Sequence, residues 1–349
     1  MPTLASRPLG ASGIPVLPLS LGTADFGGPL QGEDPTELVA AAIARGLTLF
    51  DTAEGYTDGR SEEELGRAVA RLGIRDQILI LSKAAYPQGV PGECRASRSA
   101  LIRACDASLR RLATDRIDIY VLHRPWFDIR HEETLAALTE LVRAGKIRYF
   151  GASHYPAWKL VEGMLLAQRA GVPGYLVEQP PYNLLDRRVE NDVSRVCLDY
   201  GIALITASPL GGGILAGIYN DGNIPPGSRA DVWRDRPYRQ RVNEAAIGIA
   251  RRLAALAESA GITPSQLALA WLVRQPAVTS VLIAPKSQAE LADNCAVLDL
   301  AIEADLLASV DALVPAGTFV SDFFSASGWT LGQTRWGRPG VTSGSGGDR

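Results

Sequence analysis

The feature that most restricts this chain is a regular alternation. Short apolar runs at residues 17–21, 47–50, 78–81, 117–122, 147–151, 175–177, 203–206 and 278–283 are separated by stretches whose apolar residues recur at helical spacing. Runs this brief are too short for helices, and their unbroken apolar character marks strands buried on both faces. Such strands, separated by amphipathic helices, require a parallel sheet covered on both sides. Eight of these units fit an α/β fold of the (β/α)8 TIM-barrel type, and an open doubly wound sheet is the alternative.

The first unit is fully punctuated. Asp34-Pro35-Thr36-Glu37 supplies an N-cap, a proline at the first helical position and a capping-box glutamate, and Gly46 closes the segment. Further helices are expected over 61–72, opened by Ser61-Glu62-Glu63-Glu64, and over 95–112, 132–144, 158–170 and 189–200, with two more ahead of the last strand. A chain of 349 residues fits one barrel, so residues 1–340 are expected to form a single catalytic domain. Two stretches break the rhythm. Residues 211–240, rich in Gly, Pro and Asn, are too long for a routine connection and suggest a lid or binding loop. Beyond Phe319, the rings of Phe323, Phe324, Trp329 and Trp336 either fold across the barrel mouth or anchor a tail. Ser and Gly dominate residues 341–349, where disorder is expected.

Composition removes several function classes. Lys and Arg number 35 against 38 Asp and Glu, both signs are scattered, and the net charge is -3, so no footprint for nucleic acid exists. No apolar run is long enough to span a bilayer, and the first ten residues lack a basic segment followed by an apolar one. A cytoplasmic protein without a membrane partner is expected. Cys94, Cys105, Cys197 and Cys295 stand singly, and His123, His131 and His154 are dispersed, so neither a redox pair nor a metal site is expected.

In a barrel of this kind the active site lies at the carboxyl ends of the strands. The residues found there are Gly22 and Thr23, then Asp51, Lys83, His123, Ser153, Gln179, Ser208 and Lys286. Asp51, Lys83 and His123 are titratable and converge on one axis, and Tyr56 follows Asp51 in a glycine-containing loop. A tyrosine titrates near ~10 unaided, so it serves as a proton donor to a developing alkoxide best when a cation stabilises its phenolate. Lys83 is the available cation, Asp51 would hold it, and His123 would polarise a carbonyl from the other side. Each residue alone has a plainer reading: an N-cap for Asp51, a surface lysine for Lys83, a buried core histidine for His123. The set of four favours proton chemistry.

Asp51-Thr52-Ala53-Glu54-Gly55-Tyr56, followed by Ser61-Glu62 and Leu65-Gly66, resembles the signature segment of the aldo-keto reductase superfamily. Ser82-Lys83, Leu122-His123-Arg124-Pro125, Gly151-Ala152-Ser153, Gln179-Pro180-Pro181-Tyr182-Asn183 and Ser208-Pro209-Leu210 resemble that family's successive strand ends, so the likeness covers roughly residues 7–313. It implies hydride transfer between a nicotinamide cofactor and an aldehyde, ketone or sugar, with Tyr56 as general acid, Lys83 and Asp51 as its tuning partners and His123 orienting substrate. It implies further that Ser153 and Gln179 hold the nicotinamide carboxamide with His154 beside them, that Ser208, Leu210 and Gly212 line the diphosphate and Lys286, Ser287, Glu290 and Asn294 the adenosine end, and that Gly22 and Thr23 also belong to the cofactor site. Phe26, Tyr86 and Trp126 are candidate substrate walls, suited equally to sugar rings and aromatic ketones.

Three positions depart from the family pattern. His154 replaces the common asparagine, Ala207 replaces the aromatic residue that stacks on nicotinamide in many members, and Glu290 stands where arginine or glutamine is frequent. Lys286 favours a 2'-phosphate and Glu290 opposes it unless it bends back as the third residue of a Ser287-Gln288-Ala289-Glu290 capping box. NADP(H) is therefore expected over NAD(H), with the latter a competitor. A slowly turning or non-catalytic cofactor-binding subunit resembling ion-channel subunits is the alternative to an enzyme, while a metal-dependent hydrolase lacks its ligands.

Overall fold

A computed structural model of the protein describes residues 4–85, 95–127, 129–234 and 238–321. Two short strands, β1 (Arg7–Pro8) and β2 (Pro15–Val16), pair antiparallel as a hairpin ahead of the repeating units. The repeating strands are β3 (Leu19–Gly22), β4 (Leu49–Asp51), β5 (Leu79–Ala84), β6 (Ile117–Leu122), β7 (Ile147–Ala152), β8 (Val177–Glu178), β9 (Ala203–Thr206) and β10 (Val278–Ile283). All are parallel, and pairing of β10 with both β9 and β3 closes the ring in chain order. The closed barrel is the expected fold, and the open sheet is excluded by that last pairing.

The intervening helices are α1 (Pro35–Ala44), α2 (Arg60–Leu72), α3 (Arg98–Arg111), α4 (His131–Arg143), α5 (Ala157–Ala170) and α6 (Val193–Tyr200). The stretch before β10 carries α7 (Arg229–Val232), α8 (Tyr238–Arg241), α9 (Glu244–Ser259) and α10 (Pro264–Leu272). After β10 come α11 (Gln288–Cys295) and α12 (Ala304–Asp311). Two apolar cores follow from the two faces of the strands. Leu49, Leu81, Ile119, Val121, Val177, Ala203, Ile205 and Leu282 fill the barrel interior, closed at one end by Leu9, Ile14 and Val16 of the hairpin region. Phe50, Ile80, Tyr120, Phe150, Leu204 and Val281 face outward and join the helices in the larger core.

Local corrections have physical causes. Asp34 caps α1 as expected, but its carboxylate accepts from the second helical N–H, that of Thr36 at 2.7 Å, while the Glu37 N–H bonds the Asp34 carbonyl, so the cap forms without the expected box. Ser61 does not cap α2, because its hydroxyl is buried and donates to the Thr23 carbonyl at 2.7 Å, and the helix begins at Arg60 after Gly59 at φ 87°. The 189–200 segment splits into a 3-10 turn over Arg188–Asn191 and then α6. The loop expected over 211–240 contains α7 and the start of α8, and Gly211, Gly212 and Gly213 follow one another at φ 59°, 69° and 99°. Three successive left-handed residues admit only glycine in practice. Tyr86, Cys94 and the aromatic residues at 323, 324, 329 and 336 lie outside the described residues, as do residues 341–349.

Candidate active site

Period-2 alternation explains which side chains meet. In β4 Leu49 points inward, so Asp51 two residues on does too; in β5 the inward positions are Leu79, Leu81 and then Lys83. In β6 Ile119 and Val121 lead to His123, and in β8 Val177 leads to Gln179. The catalytic candidates are thus the last inward layer of a packed interior, continuous with the apolar layers beneath. Ser82, on the other face of β5, instead donates to buried Glu62 of α2.

The backbone ladder runs on past the strand ends and holds this layer. The N–H of Thr23 bonds the Asp51 carbonyl at 2.8 Å, that of Thr52 the Leu81 carbonyl at 2.8 Å, and that of Glu54 the Lys83 carbonyl at 3.1 Å. His123 N–H reaches Ala84 O at 2.7 Å, Ser153 N–H Leu122 O at 2.9 Å, and Gln179 N–H Ala152 O at 2.9 Å. Functional positions held by barrel hydrogen bonds need no reordering before reaction.

Within the layer a single hydrogen-bonded chain connects four side chains. Lys83 Nζ lies 2.6 and 2.7 Å from the two Asp51 oxygens and donates to the Tyr56 hydroxyl at 2.9 Å and the Thr52 carbonyl at 3.0 Å. Gln179 Nε2 donates to Asp51 Oδ1 at 2.8 Å. The lysine is 0% exposed, so it is no surface lysine. Burial pushes the Lys83 pKa down and that of Asp51 up, and each partner's charge opposes the other's shift. The His123 ring stands edge-on to that of Tyr56, centroids 5.5 Å apart at 84°. Burial, helped by the charges of Lys83 and Arg124, holds the His123 imidazole well below its usual range, so it is neutral at pH 7.

Tyr56 is aimed by a strained loop. The residues after it, Thr57 and Asp58, have φ of 48° and 56°, and the Thr57 hydroxyl lies 2.9 Å from the Phe26 carbonyl and 2.8 Å from that of Tyr56. Ser61 of α2 bonds the hydroxyls of Thr23 and Thr52 at 2.9 and 2.8 Å. The Ser-Glu pair of the signature is therefore scaffolding: Ser61 ties β3 to β4, and Glu62 joins Ser82 to Arg111, whose Nε lies 2.6 Å from Glu62 Oε2.

The remaining sequence-derived positions fall as follows. Ser153 is buried and donates to the Gln179 carbonyl at 2.7 Å, beside the Asp51 end of the chain. His154 has φ 60°, a conformation tolerated best by glycine, asparagine and a few polar residues, which accounts for the family's asparagine there. Ser208, at φ 55°, opens the turn carrying Leu210 and Gly212, and its carbonyl accepts from Asn183 at 2.9 Å. Thr23 has both its N–H and its hydroxyl committed to the Asp51 carbonyl, so it supports β4. Phe26 is 4% exposed in the outer core and is a buried wall. Trp126 is half-buried, its indole N–H held by the Ala85 carbonyl at 2.8 Å. Nor does Tyr182 replace the aromatic missing at Ala207, because its buried ring packs against Trp271 and its hydroxyl bonds Glu190.

At α11 the Ser287 hydroxyl accepts from the Glu290 N–H at 3.1 Å, as expected, but the Glu290 carboxylate reaches one residue further back, to the Lys286 N–H at 2.8 Å. Asn294 is buried on the same helix. Three supporting residues carry no signal in the sequence. Glu178, wholly buried beside Gln179, accepts from the Tyr155 N–H at 3.0 Å, and burial pushes its carboxyl well up. Asp25 pairs with Arg229, bridging the loops after β3 and β9 above the end of β10. Glu33 accepts from the Gln288 N–H at 3.1 Å.

The eight parallel strands bring the Asp51-Lys83-Tyr56 chain and the neutral His123 together at or just past their carboxyl ends, the face where barrels of this kind place their active sites. The model of the Aldo/keto reductase family matches residues 18–315, and the chain belongs to that family, which works with a nicotinamide cofactor. It is 33% identical over 299 residues to a probable voltage-gated potassium channel subunit beta of Arabidopsis thaliana, covering 84% of this chain and 90% of that one. It is 32% identical over 342 residues to protein tas of Escherichia coli (strain K12), covering 88% and 97%. A putative voltage-gated potassium channel subunit beta of Schizosaccharomyces pombe is 33% identical over 297 residues, with 82% and 86% covered. None of the described helices is long and apolar enough to cross a membrane.

Proposed function

We propose that this chain reduces aldehydes, ketones or sugars with a reduced nicotinamide dinucleotide, Tyr56 giving the proton. The observation that carries this reading is the continuous chain from Asp51 through Lys83 to the Tyr56 hydroxyl, at 2.6 and 2.9 Å. The side chains present suit the cofactor: Ser153 and Gln179 offer a hydroxyl and an amide at the ends of adjacent strands, and the left-handed turn of Gly211 to Gly213 after β9 carries no side chains. Gly22 and His154 are further cofactor contacts, Thr23 supports β4, Ser208, Leu210 and Gly212 serve the diphosphate end, and Lys286, Ser287, Glu290 and Asn294 the adenosine end. The bound cofactor supplies the hydride.

The protein's own groups do the rest. His123, neutral, donates to the substrate carbonyl oxygen and turns it toward Tyr56. As that oxygen gains charge, Tyr56 transfers its hydroxyl proton to it, and the Lys83 ammonium stabilises the phenolate left behind. Asp51 keeps Lys83 in place, and solvent returns the proton to Tyr56. In this reading Trp126 and Tyr86 are the substrate walls, while Phe26 is buried in the outer core and lends only support. NADP(H) is taken in preference to NAD(H), by a small margin, because the Lys286 ammonium attracts a phosphate. A small-molecule substrate is the only partner required, and the cell interior is the place of action.

The names of two relatives favour a second reading, a cofactor-holding subunit of a potassium channel that turns over slowly. The purified chain, given reduced cofactor and a panel of aldoses, keto sugars and aromatic aldehydes, separates the two. Multiple turnovers that vanish in Tyr56→Phe support the enzyme, and cofactor binding without turnover on any member supports the subunit.

A further inference from the structure

The loop between β3 and α1 is built against the N-terminus of α11. Gly32 lies so close to Lys286 that an added Cβ would sit 2.0 Å from the Lys286 carbonyl oxygen, and the next N–H, that of Glu33, donates to the same oxygen at 2.9 Å. Glu33 is thereby held by its backbone, and its half-buried side chain reaches the Gln288 N–H at 3.1 Å. The Glu290 carboxylate takes the Lys286 N–H at 2.8 Å, and Ser287 takes that of Glu290 at 3.1 Å. Two of the N–H groups that the helix start offers to an anion, those of Gln288 and Glu290, are thus answered by a carboxylate and a hydroxyl of the protein itself, and the Lys286 N–H just before the helix by a second carboxylate. One carboxylate belongs to the helix. The other comes from 255 residues away in the chain.

We propose that Glu33 is a cofactor-specificity residue: its carboxylate holds the Gln288 amide of α11 that a ribose 2'-phosphate would use and disfavours the phosphorylated dinucleotide relative to the one with a free 2'-hydroxyl. The proposal rests on the reading above, in which the adenosine end lies at α11. Two effects act together. A phosphate entering there meets a fixed negative charge, and it must displace an existing charge-assisted hydrogen bond to gain the Gln288 N–H. A free hydroxyl meets neither obstacle, and the carboxylate is an acceptor for it. Glu290 exerts the same repulsion from within the helix, but its bond to Lys286 N–H turns it toward the start of the loop. Glu33 is the residue whose removal frees an amide of the helix proper.

The test is equilibrium binding, read from cofactor fluorescence and calorimetry, with no turnover needed. NADPH, NADH and the adenosine-end fragments 2',5'-ADP and 5'-ADP are titrated into the parent, Glu33→Gln and Glu33→Ala. Glutamine keeps an oxygen for the Gln288 N–H and removes only the charge. Glu33→Gln should tighten NADPH and 2',5'-ADP by about tenfold while NADH and 5'-ADP stay within about twofold, and Glu33→Ala should shift the ratio the same way. If dinucleotides and fragments bind the parent and the phosphorylated-to-free ratio is unchanged in both variants, Glu33 is only a helix cap and the inference falls. If the parent binds neither dinucleotide, it is the nicotinamide reading itself that fails.

Discussion

Replacing Asp51 by Asn leaves the shape of the site and removes one charge, so it measures what the buried pair contributes. Lys83 is 0% exposed and loses the carboxylate that touches it at 2.6 and 2.7 Å. Stranding one partner of a buried pair costs about 3–5 kcal/mol. The loss has a ceiling, because Lys83 can release its proton. With an unfolded-state pKa of ~10.4, deprotonation at pH 7 costs about 4.6 kcal/mol, and at pH 9 about 1.9 kcal/mol. The sign follows from linkage. Burial already pushes the Lys83 pKa down, and in the variant only the weaker pull of Glu62 opposes it, so the unfolded chain binds more protons and stability rises with pH up to the unfolded pKa. Denaturant unfolding of parent and variant should show a deficit of about 3–4.6 kcal/mol at pH 7 that falls below about 2 kcal/mol at pH 9. A deficit under about 1 kcal/mol at pH 7, or one that does not change with pH, would refute a charged Lys83 held by Asp51.

Two further outcomes follow from the same geometry. Lys83→Met should move the basic limb of the kcat/KM profile for carbonyl reduction to higher pH, because the phenolate of Tyr56 loses its cation; a profile superimposable on the parent's would remove Lys83 from proton control. Asp25→Asn opens the bridge to Arg229 across the loops after β3 and β9, and stopped-flow displacement should show bound dinucleotide leaving roughly 3–10-fold faster at nearly unchanged stability, with an unaltered off-rate counting against the bridge as a clasp.

The barrel was legible because a parallel sheet covered on both faces writes its strands as apolar runs, and Ile117–Leu122, Ala203–Thr206 and Val278–Ile283 coincide with the runs read from sequence. Strand ends were misjudged where polar residues enter the ladder: β5 continues through Ser82 and Lys83 to Ala84, since Lys83 takes an inward place that apolar patterning assigns to a loop. The β1–β2 hairpin escaped notice because two-residue strands carry no periodicity. The tetrad was readable since each member sits at a strand end or in the loop just after one. Long-range supports were not. Nothing local to Glu33, Asp25 or Glu178 shows that each meets a partner 255, 204 or 23 residues away. Ser61 and Glu62 carried the opposite error, a helix-start pattern whose side chains are spent on joining β3, β4, β5 and α3.

Whether Tyr56 delivers the proton is measured most directly by single-turnover oxidation of prebound reduced cofactor by Tyr56→Phe beside the parent. Phenylalanine keeps the ring that stands 5.5 Å from His123 and deletes only the hydroxyl that Lys83 holds at 2.9 Å. Cofactor affinity should stay within about threefold of the parent while the rate of reduction falls at least ~100-fold, the low end of what a general acid supplies. A variant that oxidises cofactor at the parental rate on the same aldehyde would contradict proton delivery by Tyr56.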